Sequence, residues 1–213
     1  MGVVGLTHTR TLGERSYVQS GFTLSGNGSR AMYSETSTPE DLDLEPRHES
    51  VLDKWTFRAS TTLNNKLSAK HKLRSGVIVS VDNYRMASTS WDESAGRMMN
   101  ELNTTGAATT LQAFTSWKWR WNEHWTMTSG LHLLHFALNK ATSVEPRAGL
   151  RFQQKPGRAF TMGAGLHSRT EPVMTYLAQG MDANGARYTP NRHLGLSRAA
   201  HFVAGFEQML APD

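Results

Sequence analysis

Two runs of strict alternation, meeting at a tight turn, limit what this chain can become. From Arg147 onward Arg147, Gly149 and Arg151 alternate with Ala148, Leu150 and Phe152. After Lys155-Pro156-Gly157-Arg158, Phe160, Met162, Ala164 and Leu166 share one parity, while Thr161, Gly163, Gly165 and His167 share the other. Successive strand side chains point to opposite faces, so period-two alternation marks a strand between unlike surroundings. Pro-Gly between two such runs makes them a hairpin. The face that is not apolar carries glycine, threonine and arginine rather than a solvated mix of lysine and glutamate. It therefore looks into a crowded or water-filled interior.

The rest of the chain extends this pattern. Nine strands are expected, at residues 2–11, 16–27, 53–66, 71–83, 108–121, 125–138, 144–154, 159–169 and 194–210. Their connections alternate short and long: 12–14 then 28–52, 67–70 then 84–107, 122–124 then 139–143, 155–158 then 170–193. Short turns at one end and longer loops at the other are the layout of an antiparallel up-and-down barrel in an outer membrane. Most of the strands also reach the roughly 9–11 residues needed to cross a bilayer, against about 5–6 in globular sheets. The expected fold is thus all-β, an antiparallel up-and-down transmembrane β-barrel segment.

Composition agrees. In 213 residues the hydrophobic share is 38%, low for a soluble core of that size. No window approaches eighteen consecutive apolar residues, which excludes membrane-spanning helices but is blind to barrel strands. Met1-Gly2-Val3-Val4-Gly5-Leu6 runs straight into polar Thr7-His8-Thr9-Arg10 without a leader-like apolar stretch. An exported protein of this sequence is expected to continue beyond this piece. The absence of cysteine excludes disulfides, thiol catalysis and cysteine metal sites. A net charge of +5 raises nucleic acid as a partner. The bases, however, are spread singly along strands and turns, and the acids gather in one segment, at Glu35, Glu40, Asp41, Asp43, Glu45, Glu49 and Asp53.

Energetics assign the faces. An arginine facing lipid at the midplane costs about 2–4 kcal/mol, so Arg147 and Arg151 belong to the lumen. Ala148, Leu150, Phe152, Phe160, Met162, Ala164, Leu166, Val77, Val79, Val81, Phe202, Ala204 and Phe206 then face outward. In Trp117-Lys118-Trp119-Arg120-Trp121 the tryptophans take one face and the cations the other, next to a short turn that Trp125 follows, as in an interfacial aromatic girdle. In residues 127–138 apolar side chains occupy both parities, and the faces are left unassigned.

Several blocks also resemble a family: Val144-Glu145-Pro146-Arg147-Ala148-Gly149-Leu150; Gly165-Leu166-His167-Ser168-Arg169-Thr170-Glu171-Pro172 with Tyr176; residues 191–194; and Ser197-Arg198-Ala199-Ala200-His201-Phe202-Val203-Ala204-Gly205-Phe206. In this order and spacing they are similar to the barrel region of TonB-dependent outer-membrane receptors of the Bacteroidetes type. Fainter similarity at 5–8, 67–76 and 130–139 carries the resemblance along nearly the whole chain, which corresponds to a partial receptor barrel without signal peptide, plug domain or closing strand. The resemblance implies a bacterial outer-membrane protein that imports a scarce, large solute such as a siderophore, vitamin, glycan or peptide. It further implies contact with membrane lipid, with a plug domain of the same receptor, and with the TonB complex through segments not contained here. No cofactor and no catalysis are implied. Lys118, Arg120, Arg147, Arg151 and His167 are the candidate polar contacts of the lumen wall, and residues 28–52, 84–107 and 170–193 the outer vestibule.

Other readings explain less. A base-stacking platform at 117–121 would need aromatics and cations on one face, which a strand forbids. His132 and His135 suit a metal on a helix but point oppositely on a strand, and no HExxH is present. Gly195-Leu196-Ser197-Arg198-Ala199 lacks the last glycine of a nucleophile elbow. Two rivals remain: a passive porin or structural barrel, which a preceding plug would exclude, and a soluble β-sandwich binding module.

Overall fold

A computed structural model describes residues 1–36, 44–182 and 184–210. Nine strands form one antiparallel sheet in chain order: β1 (Gly2–Thr11), β2 (Ser16–Thr36), β3 (Leu44–Lys66), β4 (His71–Asp92), β5 (Arg97–Arg120), β6 (Trp125–Phe136), β7 (Ala141–Lys155), β8 (Arg158–Arg169) and β11 (Ser197–Gln208). Between β8 and β11 lie a short helix, α1 (Val173–Leu177), and the two-residue strands β9 (Gly180–Met181) and β10 (Arg187–Tyr188). All nine long strands belong to one meander, with no second sheet of comparable size packed on it among the described residues, which removes the sandwich reading. At the β7–β8 turn Gly157 follows Pro156 with φ of 75°, as a type II turn requires.

Register shows which side chains share a face. Directly opposed residues on neighbouring strands lie on the same side of a sheet. Trp119, Met127, Leu150, Met162 and Ala204 are joined in one such row, and Leu24, Phe57 and Val81 in another. This face is apolar along its length and open to its surroundings, with Met162 67% and Phe202 83% exposed. Four of its hydroxyls pair with one another, Ser20 with Thr61 at 3.1 Å and Ser75 with Thr115 at 2.9 Å. It is the outer face of a barrel-type segment, and every side chain expected to face outward lies on it. At its short-turn edge Trp117, Trp119 and Trp121 stack with centroids 5.6 and 5.8 Å apart. His71 stacks on Trp117 and accepts a hydrogen bond from its Nε1.

The apolar band slides along the strands. On β3 it centres on Ala59, whereas Ala164, midway along the β8 band, lies five strands away in the same row as Asn65. Six residues of about 3.4 Å over five spacings of about 4.8 Å give a strand tilt of about 40°, within the range of outer-membrane barrels.

The connections differ from expectation. β2 to β5 run for 21 to 24 residues, so most of the expected loops at 28–52 and 84–107 are paired strand, and residues 93–96 alone turn the β4–β5 hairpin. At about 3.4 Å per residue such strands far exceed the roughly 25 Å apolar band, and these hairpins stand well clear of it. Past the bilayer both faces are wet, so the alternation disappears while the ladder continues. Residues 37–43, which include Glu40, Asp41 and Asp43 of the acidic segment, lie outside the described residues.

Three glycines stand directly opposite aromatic residues. Gly26 faces Trp55, Gly76 faces Phe114 and Gly106 faces Tyr84, and in each case a Cβ on the glycine would come within 2.6–2.8 Å of the aromatic side chain.

Candidate lumen-facing site

The sheet's second face carries all five expected contacts, at alternate positions of β5 (Lys118, Arg120), β7 (Arg147, Arg151) and β8 (His167). Register divides them into two groups. Arg147 stands opposite Gly130 on one side and Gly165 on the other, and Gly165 stands opposite His201. A Cβ at Gly165 would lie 3.1 Å from Arg147 Cγ and 3.4 Å from His167 Nε2, so the missing side chain lets both groups occupy one hollow. The His167 and His201 rings sit 4.6 Å apart.

Glu145 anchors this first group. Its side chain is 1% exposed, and both oxygens are used. Oε2 accepts from Arg147 Nη2 at 2.7 Å and contacts His132 Nδ1 at 2.9 Å. Oε1 accepts from Ser143 Oγ at 3.1 Å and from the Ser168 backbone N–H at 3.0 Å. Gln112 Oε1 lies 3.1 Å from His132 Nε2, extending the network to β5. A buried carboxylate is tolerated when it is paired and fully hydrogen-bonded, as here.

The second group lies toward the short turns. Arg120, Thr126, Arg151 and Thr161 share one row. Arg151 donates to Glu207 at 2.5 Å and to Gln153 at 3.2 Å, which ties β7 to β11 across β8. Lys118 belongs to the neighbouring row, opposite Lys72, with no carboxylate partner among the described residues. The structure thus joins Arg147 to His167 and places Lys118, Arg120 and Arg151 on adjacent rows of another part of the wall.

At the opposite end the β8–β11 connection folds onto this same face. Tyr176 and Leu177 of α1 pack with Tyr84, Met86, Ala108 and Phe136. Tyr176 is fully buried, its ring 5.1 Å from that of Phe136, and its hydroxyl accepts from the Glu171 backbone N–H at 3.1 Å. Arg187 donates to the backbone carbonyls of Asn100 and Glu101 on β5. Part of the expected vestibule loop at 170–193 is therefore docked against the wall. This also resolves residues 127–138: Leu131 and Leu133 face outward, while Leu134 and Phe136 face inward, buried, and Phe136 lies beneath α1. At the projecting β4–β5 turn, hydrogen bonds from the Ser94 hydroxyl and the Ala95 and Ser94 amides hold the Asp92 carboxyl below its ordinary range.

No protein-family model and no curated protein matches the sequence. Solved structures do match in shape. The chain superposes on the copper transporter OprC with a TM-score of 0.68 at 13% identity, covering 97% of this chain and 36% of that one. The structure of the FpvAI–pyocin S2 complex gives 0.62 at 10% identity over 92% and 28% of the two chains. The RagAB peptide importer in its closed-closed state gives 0.62 at 10% identity over 96% and 27%. The fold is that of a TonB-dependent receptor barrel wall. The chain spans about a third or less of the length of the solved structures it matches.

In this wall, sequence reasoning missed Glu145, His132, Gln112 and Glu207. Glu145 shares the parity of Arg147 two residues on, so continuing the alternation through Pro146 would have found it. Glu207 belongs to the Arg151 network only through pairing across β8, for which no local signal exists. His132 and His135 do point to opposite faces, and His135 contacts Thr142 on the outer side.

Proposed function

We propose that this chain contributes wall strands to a TonB-dependent receptor of the bacterial outer membrane, one that draws a scarce, large solute inward through a lumen occupied by a plug domain of the same receptor. The observation that carries this reading is the division of one continuous sheet into two faces: an apolar band with an aromatic edge outside, and polar groups inside, Glu145, Arg147, His132 and His167 in one place and Arg151 with Glu207 in another. The similar folds named above, a copper transporter and a peptide importer among them, support a transport role and leave the solute open. The wall serves here as a conduit with no covalent step. The test is uptake in cells carrying the full-length receptor: accumulation of its solute should require both TonB and an energised inner membrane. Accumulation that persists without TonB would point to a passive porin.

A further inference from the structure

Lys66, Lys72 and Lys118 stand side by side on β3, β4 and β5, each directly opposite the next. All three lie on the inner face and all are exposed. Like charges directly opposed across strands destabilise a sheet, and this row doubles the conflict because Lys72 has a lysine on either side. Arg74, one row further along the same face, adds a fourth cation, its guanidinium held 5.6 Å over the Phe114 ring. Among the described residues no carboxylate forms an ion pair with any of the four.

The four cations line a concavity of about 770 Å³, together with Arg15 and a single acid, Glu14. Its other walls include Asn64, Ser116 and Thr128, whose amide and hydroxyl groups are short hydrogen-bond donors suited to oxygen atoms. A concave site of this size lies within the range that small ligands fill. We propose that this hollow at the short-turn end of the lumen binds a small multivalent oxyanion, one bearing several phosphate or carboxylate groups, which bridges the lysine row. The inference deepens the receptor reading, since it takes this face to be a lumen. It adds a class of anionic solute, or anionic group on a solute, that the wall meets on its way inward. A bridging anion also accounts for the lysine row, because charge-assisted hydrogen bonds donated by each ammonium to the anion would offset the repulsion.

The test is calorimetric titration of inorganic pyrophosphate into the full-length receptor, folded in detergent at low ionic strength. Saturable binding is expected, weakened by at least about tenfold when Lys72→Gln and Lys118→Gln are combined, and unaffected by Lys140→Gln in the turn at the other end. Raising the salt should weaken it too, because exposed charges are screened beyond about 8 Å at physiological ionic strength. Equal binding by the lysine variant, or no saturable binding by the folded wild type, would overturn the proposal. Acidic side chains of the receptor's own interior filling the hollow would show as no pyrophosphate binding together with a lower melting temperature in the lysine variant, and that too overturns it. Heat modifiability of the same samples separates the two readings. A receptor that never folds as a barrel sinks the proposed function, whereas a folded barrel that ignores pyrophosphate sinks only the oxyanion site.

Discussion

At the scale of single residues, neighbouring positions on β8 give opposite expectations. Ala164 faces lipid in the middle of the apolar band, so Ala164→Arg should reduce folding into bilayers by about 2–4 kcal/mol. Gly163 faces the lumen, where an added Cβ meets nothing nearer than the Ala148 carbonyl at 3.7 Å. Gly163→Arg should therefore fold substantially better, and the folded fractions on a heat-modifiability gel compare the two directly. Gly165, although on the same face as Gly163, is the wrong control, because Arg147 and His167 already occupy its space. Glu145→Ala removes the acceptor for Arg147, Ser143 and the Ser168 amide and the partner of His132, and should destabilise by about 3 kcal/mol, as breaking a buried ion pair does. Denaturant unfolding from lipid vesicles measures it. Acid tests a second hydrogen-bonded carboxylate. The Asp92 carboxyl is held below its ordinary value, so its contribution is present above that value and is lost as pH falls through the lower, folded one. The Ser94 and Ala95 amides should lose hydrogen-exchange protection only in that acidic window, and Asp92→Asn should abolish the pH dependence.

At the scale of elements, the docked connection and the wall are separable. Tyr176→Ala empties a fully buried site and should weaken docking of α1 by about 3–5 kcal/mol. The wall ladders do not pass through α1. The folded variant should accordingly be nicked within residues 170–196 by added protease while the nine strands stay intact, and loss of the whole barrel instead would make α1 part of the core. Topology follows from the same elements: epitope tags near Ser94 or Asn184 should be detected on intact cells, and tags near Gly13, Glu123 or Gly157 should not. This is also the scale at which sequence and structure diverged. The hairpin at 147–166 was legible because lipid and lumen impose period two on it. Residues 87–90 and 103–105, alanine, serine, threonine and asparagine, pair as strand without meeting lipid, and nothing in their composition separates them from a loop. The five candidate residues were placed on the inner face by parity alone, whereas Glu207 could be placed only once β11 was seen beside β8.

At the scale of the whole molecule, β1 and β11 are both unpaired edges among the described residues, and every β11 side chain is exposed. A chain with two open edges and an apolar outer face should aggregate when expressed alone without detergent. Size-exclusion chromatography checks this, and a monodisperse monomer with a cooperative melt would count against the membrane fold. The sheet must also find its alignment while it forms. A slip of one residue turns every lipid-facing side chain inward, and the bilayer penalises it at once. A slip of two residues leaves both faces correct, so hydrophobicity is indifferent to it. What opposes that error is the set of bare positions under Trp55, Tyr84 and Phe114. Shifted by two, the Tyr84 and Phe114 rings would leave their glycines and meet a residue with a Cβ in either direction, whereas Trp55 would meet Leu24 in one direction and the bare Gly28 in the other. The membrane sorts odd from even, and these rings against bare glycines oppose both two-residue slips between β4 and β5 and one of the two between β2 and β3, acting as a ratchet on the growing wall.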